Sequence, residues 1–177
     1  MSGHSHWAGI KHKKGAKDAK RGEFFSKLLN AVAIAARHEP NPDFNPRLRT
    51  AVQTAKDSNV PKDRIDNAIK KAKEKQDNLE ELTLEAYGPG GIAILMEAVT
   101  DSRNRTIAEI KNILGDVGAK WAEAGSVRWA FEQMPNEGWK AKFPQAVDNE
   151  AKSKTKKIIE TLEENDDIQK VYTNAVL

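Results

Sequence analysis

The spacing of apolar residues changes its period once along this chain, near Gln76, and that change constrains the fold more than any other feature. Before it, Phe24, Phe25, Leu28, Leu29, Val32, Ala35 and Ala36 recur three and four residues apart. That is the period of a helix with one buried stripe, expected from about Lys17 to His38. Pro40, Pro42 and Pro46 punctuate the following loop. Asn45-Pro46 reads as an N-cap with proline at the first helical position. The helix it opens puts Leu48, Ala51, Val52 and Ala55 on one face and stops at Ser58-Asn59. Pro61 opens a third helix, with Ile65, Ala68, Ile69 and Ala72 inward and Lys70, Lys71, Lys73 and Lys75 mainly outward. Three short amphipathic helices bury their stripes only against one another, so residues 17–76 are expected to form a three-helix bundle.

After Gln76 the pattern alternates. Leu82, Leu84 and Ala86 interleave with Thr83, Glu85 and Tyr87, which predicts a strand with one buried face. Gly88-Pro89-Gly90-Gly91 predicts a tight turn, and the run Ile92–Val99 a central strand. Thr106-x-x-Glu109 reads as a capping box opening a helix that Gly118 ends. Val127, Trp129 and Phe131 alternate as a further strand, and Trp139, Ala141 and Phe143 as another. A helix over about 149–164 and a strand over Ile168–Thr173 complete the pattern. The fold class is therefore α+β: a three-helix bundle, then a small, mainly antiparallel sheet with helices on one face. The expected division is 1–76, a basic tail with the helical domain, and 77–177, the α+β domain.

Charge divides at the same place. Residues 1–76 hold 17 Lys or Arg against 8 Asp or Glu, a net of +9. Residues 77–177 hold 12 against 18, a net of −6. Such asymmetry within one small chain points to a first part that meets polyanions. Cysteine is absent, which excludes disulfides, thiolate catalysis and cysteine-based zinc sites in this sequence. No apolar run reaches the roughly 20 residues of a membrane helix. The start is polar and basic and lacks the apolar core of a secretory signal, so neither a secretory signal nor a transit peptide is expected.

The strongest candidate chemistry lies at the start. Lys11, Lys13, Lys14, Lys17, Lys20, Arg21 and Lys27 fall in one stretch, preceded by or interleaved with His4, His6, Trp7 and His12. Lysines neutralise phosphates and release counterions, and an indole stacks on an unpaired base. The competing explanation is a cationic tail kept for solubility, which has no need of the tryptophan or the histidines. Residues 1–16, poor in apolar side chains, are expected to pack poorly without a partner. His4, His6 and His12 lack metal-loop spacing and a nearby carboxylate, so no metal is expected. Gly88–Gly91 lacks the Lys-Ser/Thr of a nucleotide loop and precedes a strand, so a hairpin turn outweighs a phosphate cradle. Arg103 and Arg105 sit at a helix N-terminus, where a phosphate contact competes evenly with surface pairing to Asp101 or Glu109. All four histidines lie in the first 38 residues, and no nucleophile with a base or buried carboxylate pair is evident, so no enzyme activity is expected.

Several segments in order resemble the YebC/PmpR family, which includes the mitochondrial translational activator of cytochrome c oxidase. They are Ser2-Gly3-His4-Ser5-His6-Trp7-Ala8-Gly9-Ile10-Lys11-His12-Lys13-Lys14, Asp18-Ala19-Lys20-Arg21-Gly22, Asn45-Pro46-Arg47-Leu48-Arg49, Tyr87-Gly88-Pro89-Gly90-Gly91, Asp101-Ser102-Arg103-Asn104-Arg105-Thr106, Gly125-Ser126-Val127 and the stretch 162–174. The resemblance implies a three-helix domain followed by an α+β domain, and no enzyme activity. Members are described as DNA-binding transcriptional regulators, and others as ribosome-associated factors that aid translation, notably of proline-rich stretches. Members usually carry a third, ferredoxin-like domain inserted after the strand corresponding to Val127–Phe131. Here Met134-Pro135-Asn136-Glu137-Gly138 leads almost directly to the last helix and strand, which resembles a short form without that domain.

The resulting expectation is a non-enzymatic, nucleic-acid-binding regulator of gene expression, acting as a ribosome-associated translation factor. The alternatives are a DNA-binding transcriptional regulator, using Arg47, Arg49 and the third helix's lysines on a duplex, and a protein-binding scaffold built on the acidic part. The expected partner is ribosomal RNA or DNA, with the ribosome as the assembly presenting it. No cofactor, membrane or small-molecule substrate is expected, and the expected location is the cytoplasm.

Overall fold

In the computed structural model, residues 18–135 and 137–177 are described. The chain divides into two compact units. The first holds the described residues up to Glu80 with Val99–Asp101, and the second holds Glu81–Ala98 with Ser102–Leu177.

The first unit is built on α1 (Asp18–Ala36), α2 (Pro46–Asp57) and α3 (Lys62–Lys73). Their apolar stripes meet in one core of Phe25, Val32, Ala36, Leu48, Ala55, Ile65 and Ala72, with Val60 closing it. The Asn45 side chain joins two helices. Its Oδ1 accepts from the Leu48 N–H at 3.0 Å, capping α2, while its Nδ2 donates to the carbonyls of Ala35 and Glu39, each at 2.7 Å. Beyond α2, Asn59 turns left-handed at φ 62. The N–H groups of Asn59 and Val60 reach back to the carbonyls of Lys56 and Ala55. This Schellman closure turns Val60 into the core. Arg37 donates to the Asp77 carboxylate and the Leu79 carbonyl, fastening the end of α1 to the segment after α3.

The strands β1 (Glu80–Tyr87), β2 (Ala93–Thr100), β3 (Lys120–Ala122) and β6 (Ile168–Thr173) form a sheet of order β3-β1-β2-β6, which belongs to the second unit except for Glu80, Val99 and Thr100. The β1–β3 and β2–β6 pairings are antiparallel. The helices α4 (Arg103–Asp116) and α5 (Asn149–Glu163) supply Ile110, Leu114, Ile158 and Leu162 to a core with Leu82, Leu84, Ala86, Ile94 and Met96 of the sheet. On the other side of β2, Ala93 and Leu95 pack with Val127, Ala130 and Phe131, alongside Trp139 of a separate hairpin, β4 (Phe131–Met134) with β5 (Gly138–Ala141). Because β2 is covered on both faces, it reads as an unbroken apolar run instead of an alternating one.

The fold class is α+β, as the periodicity predicts, but three local expectations need correction. Residues 127–131 do not form a strand: Arg128–Ala130 make a 3-10 turn, and β4 begins only at Phe131. Thr106 does not open α4. The helix begins at Arg103 with Ser102 at its cap position, and the hydroxyl of buried Thr106 donates instead to the Asp167 carboxylate, with the Ser102 carbonyl 3.2 Å away. Strand β3, only three residues long, carries no period of its own and was not expected.

Candidate nucleic-acid interface

Of the residues expected to meet nucleic acid, His4, Trp7, Lys11, His12, Lys13, Lys14 and Lys17 lie outside the described residues. In the first unit, Lys20 and Arg21 are exposed near the start of α1, and the Arg21 guanidinium lies 5.3 Å from the centre of the Phe25 ring. Lys27, counted with the same basic stretch, is 4% exposed and so does not share that surface. Its position between Phe24 and Leu28 puts it near the buried stripe, where only the long methylene stem suits the surroundings.

Arg47 and Arg49 are exposed in the first turn of α2. Arg49 spends its donors within the protein, its Nε on the Pro42 carbonyl and an Nη on the Asp43 carbonyl, each at 3.2 Å. On α3, Ile65 and Ala72 point into the core, while Lys62, Lys70, Lys71 and Lys73 lie on its outer side, with Lys75 exposed just beyond. Lysines in the last turn also complement the helix dipole, a purely structural benefit of a few tenths to about 1 kcal/mol each.

In the second unit Arg103 and Arg105 occupy the first turn of α4, both exposed. Arg105 donates to the Asp167 carboxylate at 2.9 Å and lies 3.7 Å from Glu109. Thr106 donates to the same Asp167 oxygen at 2.5 Å. Asp167 is 7% exposed and joins the N-terminus of α4 to the residues before β6. Replacing Asp167 with alanine is expected to lower the stability of this unit by about 2–3 kcal/mol, since a buried hydroxyl and a guanidinium lose one acceptor. Urea unfolding checks this, and an unchanged midpoint would leave Arg105 without a structural role there.

The sequence model of the TACO1/YebC protein N-terminal domain matches residues 5–75, and that of the TACO1/YebC second and third domain matches residues 79–136. The chain belongs to the TACO1/YebC family. A relative from Petrotoga mobilis, named a probable transcriptional regulatory protein, is 52% identical over 75% of this chain and 54% of its own length. One of the same description from Ehrlichia ruminantium is 43% identical over 97% of this chain and 71% of its own. The chain thus spans about half the length of several curated relatives it matches, such as 54% for that of Koribacter versatilis. The crystal structure of a conserved hypothetical protein from Aquifex aeolicus superposes with a TM-score of 0.78 at 32% identity, covering 97% of this chain and 96% of that one.

The second TACO1/YebC match ends at residue 136, between β4 and β5, just past a loop whose importance sequence reasoning missed. Glu85 of β1 occupies a position that alternation assigns to solvent, yet it is 3% exposed. Its carboxylate accepts backbone N–H groups from Gly125 at 2.6 Å, Val127 at 2.7 Å and Arg128 at 3.0 Å. This anchored loop carries Trp129, 65% exposed, against Phe143, 54% exposed, with ring centres 5.6 Å apart. An acidic residue in a strand together with a later Gly-Ser-Val turn was the only available signal, and nothing local links the two. Gly88–Gly91 forms a 3-10 turn closed by Gly88 donating to the Ile92 carbonyl at 2.8 Å, the hairpin reading of that segment. Among the described residues no group of three or more His, Cys, Asp or Glu converges as a metal site, and no helix is long and apolar enough to cross a membrane.

Proposed function

We propose that this chain is a non-enzymatic regulator of gene expression that binds nucleic acid, and that its physiological target is RNA on the ribosome. The observation carrying the reading is the set of cations on the outer side of the helical unit, Lys20, Arg21, Arg47, Lys62, Lys70, Lys71, Lys73 and Lys75. They belong to a stretch with a net charge of +9. Such a surface attracts a polyphosphate backbone whatever its bases. Support for RNA over sequence-specific duplex DNA comes from α2. Its Arg49 is engaged by loop carbonyls and its Gln53 donates to Asp57 at 2.8 Å, so two side chains suited to reading base edges are held within the protein.

The second reading, a DNA-binding transcriptional regulator, is favoured by the names of the relatives, probable transcriptional regulatory proteins. Competition between duplex DNA and ribosomal RNA at one fixed salt concentration separates the two. Preferential capture by RNA supports the first, and a strong preference for one DNA sequence overturns it. Changing Lys11, Lys13, Lys14, Lys17, Lys20 and Arg21 together to glutamine is expected to cut ribosome co-sedimentation about tenfold or more at physiological salt and to flatten its salt dependence. Undiminished co-sedimentation would remove the basic stretch from the binding surface.

A further inference from the structure

We propose that the exposed Trp129–Phe143 pair of the second unit is a stacking platform for unpaired RNA bases. The proposal rests on the nucleic-acid reading above and adds a second contact of different chemistry. The two rings meet at an interplanar angle of 45°, leaving both largely open to solvent. Trp129 donates its indole N–H to the Ser126 carbonyl at 2.8 Å. What it offers outward is therefore ring surface and not a hydrogen bond. The half-exposed Tyr87 reaches the same carbonyl at 3.3 Å, bringing a third ring to the loop.

A cation attends the pair: the Lys142 ammonium lies 5.7 Å from the Phe143 ring centre. Exposed Arg128 is the neighbour of Trp129 in the chain, and its guanidinium lies over a different ring, that of Trp139, at 4.9 Å. Residues 77–177 carry a net charge of −6, so a lysine placed beside the exposed Phe143 ring runs against the local trend. Aromatic faces flanked by Arg and Lys are the chemistry that recognises a single strand, with bases on the rings and phosphates on the cations.

The platform is also held in place before any ligand arrives. Glu85 fixes the loop on one side of Trp129, and on the other the Lys142 N–H donates to the Ala130 carbonyl at 2.8 Å. The β4–β5 ladder then pairs Phe131 with Ala141. A surface ordered in advance loses little entropy on binding.

The test measures binding of the full chain to three labelled probes at one salt concentration: a short single-stranded RNA, a duplex RNA and inorganic polyphosphate, which has charge but no bases. Trp129→Ala and Phe143→Ala are each expected to weaken single-strand binding about tenfold while leaving the other two unchanged, and Trp129→Phe to restore most of the loss. Thermal unfolding of each variant confirms that it is folded; if Trp129→Ala is not, Phe143→Ala and Trp129→Phe decide. Wild-type single-strand affinity in folded variants overturns the proposal. So does an equal loss on all three probes, which would mean charge and not stacking. A change of oligomeric state with RNA binding intact overturns it in favour of a protein partner. If the wild type binds duplex and polyphosphate but holds the single strand no tighter than polyphosphate, the platform fails and the nucleic-acid reading stands. If it binds none of the three, both fail.

Discussion

Replacing Glu85 with alanine is expected to destabilise the second unit by about 3–5 kcal/mol, an exceptionally large effect for a single substitution. The carboxylate is 3% exposed and its partners are the main-chain N–H groups of Gly125, Val127 and Arg128. Hydrogen bonds to an ionised acceptor are worth more than neutral ones, about 1.5–3 kcal/mol each. Truncation leaves three donors without their acceptor, and partial relaxation of the loop toward water recovers some of the loss. Glutamine retains one acceptor oxygen but presents an NH2 to donors, so Glu85→Gln should cost less, about 2–3 kcal/mol. Urea unfolding followed by tryptophan fluorescence measures both, since Trp121, Trp129 and Trp139 all lie in this unit. Amide exchange at residues 125–128 should also accelerate. Equal stability of the alanine variant would show that the loop needs no anchor.

Gly138→Ala is expected to cost about 2–4 kcal/mol, by two separable causes. Gly138 has φ +86, a left-handed conformation that costs about 1 kcal/mol for a residue with a Cβ. An added Cβ would also collide with the Tyr172 hydroxyl oxygen and lie 2.9 Å from its Cζ. The ring cannot swing aside freely. Its hydroxyl donates to Glu97 at 2.9 Å, and the Trp139 indole donates to the other Glu97 oxygen at 3.0 Å. Burial and the adjoining Glu97 carboxylate push the Tyr172 hydroxyl well above its ordinary value of 10.0, so it remains a protonated donor. The unfolded chain ionises this group first as pH rises past that value, so the network loses strength in alkali. A double-mutant cycle separates the causes. With Tyr172→Ala already present, Gly138→Ala should cost only the backbone part, about 1 kcal/mol. Strictly additive costs would mean that the ring contact is not responsible.

Much of this architecture was legible without a structure because it follows from short-range rules. Asn45-Pro46 announces the start of α2 through capping and a fixed proline φ, and both act within three residues. The α5 bounds and the full extent of β6 follow from periodicity. What stayed hidden has partners far away in sequence. Glu85 is bonded 40 to 43 residues away and Thr106 61 residues away. Each looked ordinary locally, one an outward strand position and the other a capping residue. Lys27 looked like one more surface cation until packing buried it.

The amino-acid sequence alone determined the opposite charge of residues 1–76 and 77–177, the helical and alternating periods, and the family resemblance carried by its motifs. Each of these is a property of residue type and spacing. Only the tertiary structure decided that Glu85 turns inward, that the segment after Gly125 bends into a turn instead of a strand, and that Trp129 meets Phe143 at the surface. Those outcomes depend on which distant backbone donors a carboxylate finds, because a buried charge must be satisfied by whatever the fold brings beside it.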